Sequence, residues 1–504
     1  MPDNLDCRGA GILLPVFSLP SPYGIGTLGK SAYDFIDFLK ASGQMYWQVL
    51  PVGPTSYGDS PYQSFSAFAG NPYFIDIKLL EEEGLLAKGD AEKYDWGGDA
   101  NYIDYAKIYE SRFKVLGAAF RHGAKSSGYE NFCEKNAYWL DDYSFFMALK
   151  CYFGGCEWLR WPEDIRRREP AGIHKYMGLL ADEIDFWKFC QYKFYEEWYG
   201  LKNYANSKGI KIIGDIPIYV ALDSADVWCH TDQFQLDADL RPVKVAGVPP
   251  DLFSATGQLW GNPIYDWGVM EKDGFSWWKS RMRLSAEIYD VVRIDHFIGI
   301  VKYYSIPAGD KTAENGEWVC GPGQKLTDAI NSVFGNSSII AEDLGVAIPE
   351  VKKLLKSCGY PGMKIIQNAF DGNPDNDHLP YNFERNMVVY GGTHDNETLA
   401  GAFNRKSGKE LKLVFDYLNV SSEKDIPWAV IRTANGSVAN TVIFQMQDIL
   451  ELPNTARINI PSTIGKNWRW RMTGGELTPE LSKKLYELEK TYGRLPRHGR
   501  AAVK

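Results

Sequence analysis

The chain has 504 residues, 45% hydrophobic and 24% charged, with a net charge of −9. That composition fits a globular protein whose core is large enough to need no metal or disulfide staple. No basic block offsets the acidic balance, which disfavours nucleic-acid binding, and no apolar run approaches the roughly 20 residues of a membrane helix.

Eight apolar runs read as strands in chain order: Gly11–Val16, Tyr46–Val52, Ile210–Asp215, Val291–Asp295, Ser338–Glu342, Met363–Asn368, Met387–Gly391 and Thr441–Gln445. Most are continuous rather than alternating, as parallel strands covered on both faces should be. Amphipathic helical stretches separate many of them, for example Ser31–Ala41 with Gly43 as its stop, Tyr195–Gly209 and Glu350–Gly359. Alternating strands and helices predict an α/β fold with a parallel sheet. Eight strands fit a (β/α)8 TIM barrel, and an open doubly wound sheet is the alternative.

A plain barrel needs about 250 residues, so roughly half of this chain is insertion. Trp- and Tyr-rich helical material from about 79 to 187 falls after strand 2. A loop-rich segment from about 220 to 280 follows strand 3 and is expected to cover the site, with Asn262 and Pro263 read as turn formers. The whole of 1–504 reads as a single catalytic barrel domain that carries these two insertions.

Gly24-Ile25-Gly26-Thr27-Leu28-Gly29 matches a dinucleotide fingerprint, but Pro20 and Pro22 separate it from the preceding strand. A tight loop leading into the Ser31 helix is the better reading. The eight cysteines form no Cys-x-x-Cys pair and are expected to be buried free thiols in a reducing compartment. The acidic N-terminus, interrupted by Pro15 and Pro20, is a poor signal peptide, so a cytoplasmic location is expected. The 16 Trp, 30 Tyr and 25 Phe fit a large core or a sugar-stacking groove, and composition alone does not choose between them.

The chemistry sits at strand ends. In "VVRIDHF", Val291, Arg293 and Asp295 share one face of the strand. With Val292 and Ile294 against the outer helices, Arg293 and Asp295 point into the barrel. A guanidinium near a carboxylate favours the ionised form, which suits a nucleophile. In "SIIAEDLG" the same parity puts Ile340 and Glu342 together, and leaves Asp343 as a cap or loop residue. In "VVYGGTHDNET", Gly391 and Gly392 leave space before His394-Asp395-Asn396. Acidic residues at the ends of three barrel strands form a catalytic pattern for this architecture.

Retaining cleavage of a glycosidic bond uses two carboxyl groups about 5–5.5 Å apart, one ionised and one protonated. Asp295 suits the first task and Glu342 the second. Asp395 is placed to stabilise charge on the sugar ring, and His296 and His394 to donate to its hydroxyls. The competing reading, a metallohydrolase, lacks a His-x-His or His-x-x-x-His pair, so no metal or other cofactor is expected.

These segments, together with "SLPSPYGIGTLG", "YGDSPYQSFSAFAGNPY", "GDIPIYVALDSADVW" and "GVPPDLFSATGQLWGNPIYDW", resemble the 4-α-glucanotransferase (amylomaltase) family along nearly the whole chain. The resemblance implies Asp295 as nucleophile, Glu342 as acid/base and Asp395 as transition-state stabiliser. It implies that Arg293, His394 and Asp215 line the donor sugar pocket, with Tyr62 as its aromatic platform. Asp251, Gln258 and Trp260 fall in the loop covering the acceptor side, and Asp371 in another rim loop. Related α-amylase-type enzymes carry a separate C-terminal β domain, and none is expected after "NWRWRM". Gly391, Glu397, Tyr381 and Leu252 depart from residues common in the family. The expected substrates are maltooligosaccharides, amylose or glycogen-derived glucans, with no nucleic acid, membrane or obligatory protein partner. A hydrolase with the same triad is the alternative, followed by a noncatalytic glucan-binding protein.

Overall fold

In the computed structural model, residues 5, 7–123, 127–250, 254–335, 339–346, 348–404, 406 and 408–496 are described. The eight predicted runs supply β1 (Gly9–Leu13), β2 (Tyr46–Gln48), β3 (Lys211–Pro217), β4 (Val291–Asp295), β5 (Ile339–Ala341), β6 (Gly362–Ile365), β7 (Met387–Tyr390) and β8 (Thr441–Gln445). They pair in the order β6-β7-β8-β1-β2-β3-β4-β5, every neighbour parallel. Across the remaining seam the Ala341 N–H donates to the Pro361 carbonyl at 3.0 Å. The fold is a (β/α)8 barrel.

Alternation within each strand explains the unbroken apolar runs. Leu13, Tyr46, Ile213, Val291, Ile340 and Val388 fill the barrel interior. Their neighbours Ile12, Trp47, Ile212, Val292, Ile339 and Val389 join the core under the helices. Both faces are dry, so neither carries a polar period.

Strand ends differ from the sequence reading where apolar residues continue past the sheet. Val49, Leu50 and Val52 are buried beyond β2, while Val16–Ser18 and Ile366–Asn368 coil into single 3-10 turns. The chain must turn out of the ladder there, yet the overlying loops keep these residues dry. Ser338 lies outside the described residues, and Glu342 follows β5 directly.

Helix Lys30–Ala41 starts at Gly29, where the Asp76 carboxylate occupies the space a Cβ would take and accepts from Thr27 Oγ1 at 2.5 Å. A carboxylate already complements that helix N-terminus. Helix Pro349–Cys358 closes on Gly359 in the left-handed region at φ 75.

Between β2 and β3 lie the helices Tyr105–Gly123, Ser127–Tyr152 and Ala181–Ser207, among shorter ones. The last two interlock through tilted aromatic pairs: Phe132 and Trp139 lie 5.6 and 5.8 Å from Tyr195, ring centre to ring centre. Trp158, Trp198, Trp228 and Trp278 are fully buried as well, so the aromatic excess goes mainly into the core. No helix among the described residues is long and apolar enough to cross a membrane.

The segment leaving the barrel after β2 is anchored at Gly70, which exchanges two hydrogen bonds with the Gln191 amide (2.7 and 2.9 Å). A Cβ at Gly70 would stand 1.9 Å from the buried Phe194 ring. Gly70→Ala should therefore cost about 1–3 kcal/mol. Urea unfolding reads this, and parental stability in the variant would refute the close approach.

A second, antiparallel sheet uses Gln258–Pro263, Lys244–Val248, Lys302–Pro307 and Glu317–Cys320, in that order. It therefore combines the segment after β3 with the one after β4. Asn262 and Pro263 are strand residues, not turn formers. Asn262 is buried because its amide donates to the Val220 carbonyl at 2.8 Å and accepts from Gln63 at 3.0 Å. The expectation for the cysteines also needs correction. All eight are free, but only Cys190 and Cys358 are buried, and Cys151 and Cys320 are exposed, one near a helix end and one at the edge of the small sheet.

Candidate active site

The strands of the barrel carry an inward polar layer at their C-terminal ends. Arg293 on β4 is its hub, only 3% exposed at the side chain. Its Nη1 donates to both oxygens of Asp215 on β3 (2.8 and 2.6 Å), and its Nη2 pairs with Asp295 at 2.8 Å. The two carboxylates hold the guanidinium protonated against its burial. Asp295 stands at the rim of this layer, 28% exposed at the side chain against 0% for Asp215. Tyr62, from the loop after β2, donates its hydroxyl to Asp215 at 2.9 Å. Burial and the Asp215 charge raise the phenol well above its usual range, so it keeps that proton.

Glu342 takes its position from the backbone. Its N–H donates to the Ile294 carbonyl, and its own carbonyl accepts from Phe297, both at 3.0 Å. Its carboxyl accepts from the N–H groups of His296 and Leu344, each at 2.8 Å. His296 reaches that orientation through a left-handed backbone at φ 54, a strain of about 1–3 kcal/mol for a non-glycine residue. Burial, then the Asp295 charge, pushes the Glu342 carboxyl up to about 8, outweighing Arg293 and the two N–H donors. Glu342 thus keeps a proton near neutrality.

Asp395 follows β7 on a loop held from outside the strand. Asn459 donates its amide to Asp395 Oδ1 at 2.6 Å, and Arg457 donates to the Asp395 carbonyl at 2.6 Å. His394, 2% exposed, lies 3.4 Å from Asp395 Oδ2 and stacks on Tyr62 with ring centres 5.3 Å apart. Trp468 packs on both, 5.8 Å from Tyr62 and 5.9 Å from His394. Gly391 and Gly392 let this loop fold tightly, since a Cβ would come within 3.1 Å of Leu399 and 3.2 Å of Asn396.

On the other side, the Trp260 ring meets the His296 ring edge-on at 4.8 Å. Burial pushes His296 down to about 4, so the imidazole is neutral, and its Nε2 has no hydrogen-bond partner among the described residues. Among those residues no group of three or more His, Cys, Asp or Glu side chains is placed to hold a metal ion.

The site therefore gathers a carboxylate beside a guanidinium, a protonated carboxyl and a third acid, walled by Tyr62, His394, Trp468 and Trp260. The sequence matches a family model described as 4-alpha-glucanotransferase over residues 14–478. The chain belongs to that family. A 4-alpha-glucanotransferase of Clostridium butyricum is 51% identical over 483 residues, 95% of this chain and 99% of that relative. One from Thermus thermophilus is 45% identical, covering 97% and 99%. The solved amylomaltase from Streptococcus agalactiae, in complex with acarbose, superposes at a TM-score of 0.95 with 40% identity, covering 97% of this chain and all of that one.

Of the residues that the 4-alpha-glucanotransferase resemblance implied, Tyr62, Asp215, Arg293 and His394 touch one another or the acids, as does His296, read from the strand end alone. Gln258 and Trp260 lie on the small sheet, where Gln258 accepts from Trp260 Nε1 at 3.1 Å. Asp371 sits in the exposed loop between β6 and β7 and accepts the Asn373 N–H at 2.9 Å. Asp251 and Leu252 lie outside the described residues. Of the other departures, Glu397 accepts from Asn454 at 2.7 Å, and Tyr381, 61% exposed, donates to the Pro374 carbonyl at 3.0 Å. Asp343 accepts the Met363 N–H at 2.7 Å and so fixes the start of β6. Asn459, Arg457 and Trp468 were not legible as site residues in the sequence. The Trp- and Arg-rich "NWRWRM" around Trp468 is a signal that could have pointed there.

Proposed function

We propose that this 4-alpha-glucanotransferase moves an α-1,4-glucan segment from a donor to the 4-hydroxyl of an acceptor glucan or glucose, in two steps and with retention. The observation that carries the reading is the contrast between two neighbouring acids. Asp295 is ion-paired to Arg293, while Glu342 is pushed up to about 8. Paired carboxyl groups in opposite states are what the retaining reaction needs.

In the first step Asp295 attacks the anomeric carbon, and Glu342 gives its proton to the departing glycosidic oxygen. The product is a glycosyl ester on Asp295 and a shortened glucan. Ester formation removes the Asp295 charge, the second-largest cause of the raised Glu342 pKa. Glu342 then ionises more readily and takes the proton of the incoming 4-hydroxyl as the ester breaks. Asp395 faces the charge that develops on the ring in both steps. Arg293, Asp215, Tyr62 and His394 line the donor sugar, His296, Gln258, Trp260 and Asp371 serve substrate binding, and the family resemblance assigns Asp251 the same part. Excluding water from the intermediate favours transfer over hydrolysis.

Incubation with maltotriose tests the reaction. Transfer yields glucose together with longer oligosaccharides, and a mixture containing only shorter products would mean a hydrolase.

Glu342→Gln should lower turnover roughly 10²–10⁴-fold. In the parent, kcat/KM should fall as pH rises through about 8, where Glu342 loses its proton. The residual activity of the variant should lack that limb. Stability should also fall with rising pH, over a lower window. Between about 4.5 and 8 the folded parent holds a proton that the unfolded chain has released, so rising pH destabilises it. Glu342→Gln should flatten that part of the stability curve. An unchanged alkaline limb in the variant would remove Glu342 as the proton donor.

A further inference from the structure

A second cavity, of about 230 Å³, lies between helices Ser127–Tyr152, Ala225–Cys229 and Ser276–Ile288. None of the three acids Asp295, Glu342 and Asp395 lines it, nor do Tyr62 and Asp215. Its aromatic wall is built on Phe68, which stacks on Trp139 at 6.4 Å and takes the edges of Tyr138 and Trp277, each at 6.0 Å. Tyr138 forms the lip, 56% exposed. Polar groups line the cavity as well. Gln233 is only 8% exposed, lines the cavity, and its Oε1 has no hydrogen-bond partner among the described residues. His230 and Ser280 add further donors and acceptors.

The chemistry narrows the occupant. No lysine or arginine lines the cavity, which disfavours an anion there. Asp142 is already paired with Arg168 at 2.6 Å, and Asp226 accepts the Ala67 N–H at 2.8 Å and lies near Arg281 and His230, so both carboxylates already have partners. Aromatic faces beside neutral hydrogen-bonding edges suit a neutral pyranose, apolar on its faces and hydroxylated on its rim. An orphaned buried amide oxygen calls for a hydroxyl donor.

We propose that this cavity binds a glucosyl unit of a long α-glucan and tethers the polymer while its reacting segment occupies the barrel mouth. The inference rests on the α-glucan reading above. Ser66 and Phe68, which wall the cavity, continue the loop that brings Tyr62 to Asp215, so the two sites are joined by a few residues.

The test uses the full chain with Tyr138→Ala, which removes an exposed ring, and Ser280→Trp, which fills the cavity. Transfer from maltotriose, too short to span both sites, should stay within about twofold of the parent, and thermal unfolding should confirm folding. With amylose, KM should rise about tenfold at unchanged kcat, because a tether acts through effective concentration. Titration with maltoheptaose in an Asp295→Asn background should show two sites per chain, and one when Ser280→Trp is added. A single site with the cavity intact, or an amylose KM indifferent to both variants, would overturn the proposal. Absence of binding at the mouth as well would instead remove the α-glucan reading, and this inference with it.

Discussion

Asp295→Asn should lose transfer activity by at least about 10⁴-fold, the scale on which removing a nucleophile disables a covalent catalyst. The amide preserves the shape of the side chain and its hydrogen-bonding oxygen toward Arg293 Nη2, which now lies 2.8 Å from Asp295 Oδ1. What it removes is the charge and the capacity to form a glycosyl ester. Folding should survive, because the Asp295 side chain is 28% exposed and Arg293 retains Asp215 as its counter-ion. The variant has a second signature. Asp295 is the main charge raising Glu342, so the Glu342 carboxyl should drop from about 8 in the variant. Carboxyl-resolved NMR titration reads that drop. Activity near the parental level would end the assignment of Asp295, whatever the titration showed.

Arg293→Met should destabilise the fold by about 3–5 kcal/mol, the range for removing one partner of a buried ion pair. Asp215 is fully buried and receives both oxygens' hydrogen bonds from Arg293 Nη1. Without the guanidinium its charge is stranded inside the barrel, near Asp295, and must either pay the desolvation cost or take up a proton. Adding Asp215→Asn should recover much of the stability, because the amide keeps an acceptor for the Tyr62 hydroxyl and carries no charge. It should not recover activity, since Asp295 still lacks its counter-ion. The two single variants and the double variant form a cycle whose coupling term isolates the pair. Urea unfolding of Arg293→Met within about 0.5 kcal/mol of the parent would show the pair to be dispensable.

The ease of reading the barrel from sequence has a simple cause. A strand buried on both faces must be apolar throughout, and "VVRIDHF" shows where that condition ends. Val291 and Arg293 share the inward face, and the polar residue marks the level at which the packed interior gives way to the mouth. Parity also located Glu342 correctly, although it lies one residue past β5, because Ile340 on the same face is interior. The small sheet was not legible. Its strands pair segments far apart in the chain, and the register shifts between Val245 and Gly247, so no local period announces it. Asn262 misled for a related reason. Its residue type favours turns, but two tertiary hydrogen bonds hold it in a strand. Asn459 and Arg457 escaped because each supports Asp395 across more than sixty residues of sequence, a relation that only the folded chain creates.

That last relation bears on how the enzyme comes into being. Chains emerge from the ribosome N-terminal end first. Asp295 and Glu342 are made long before Asn459, Arg457 and Trp468, which are added after the eighth strand and fasten the Asp395 loop. A nascent polypeptide halted before them has both of those carboxyl groups yet no anchor for the third. The shape of the Asp395 loop is therefore settled only when the segment after the eighth strand has folded back onto it.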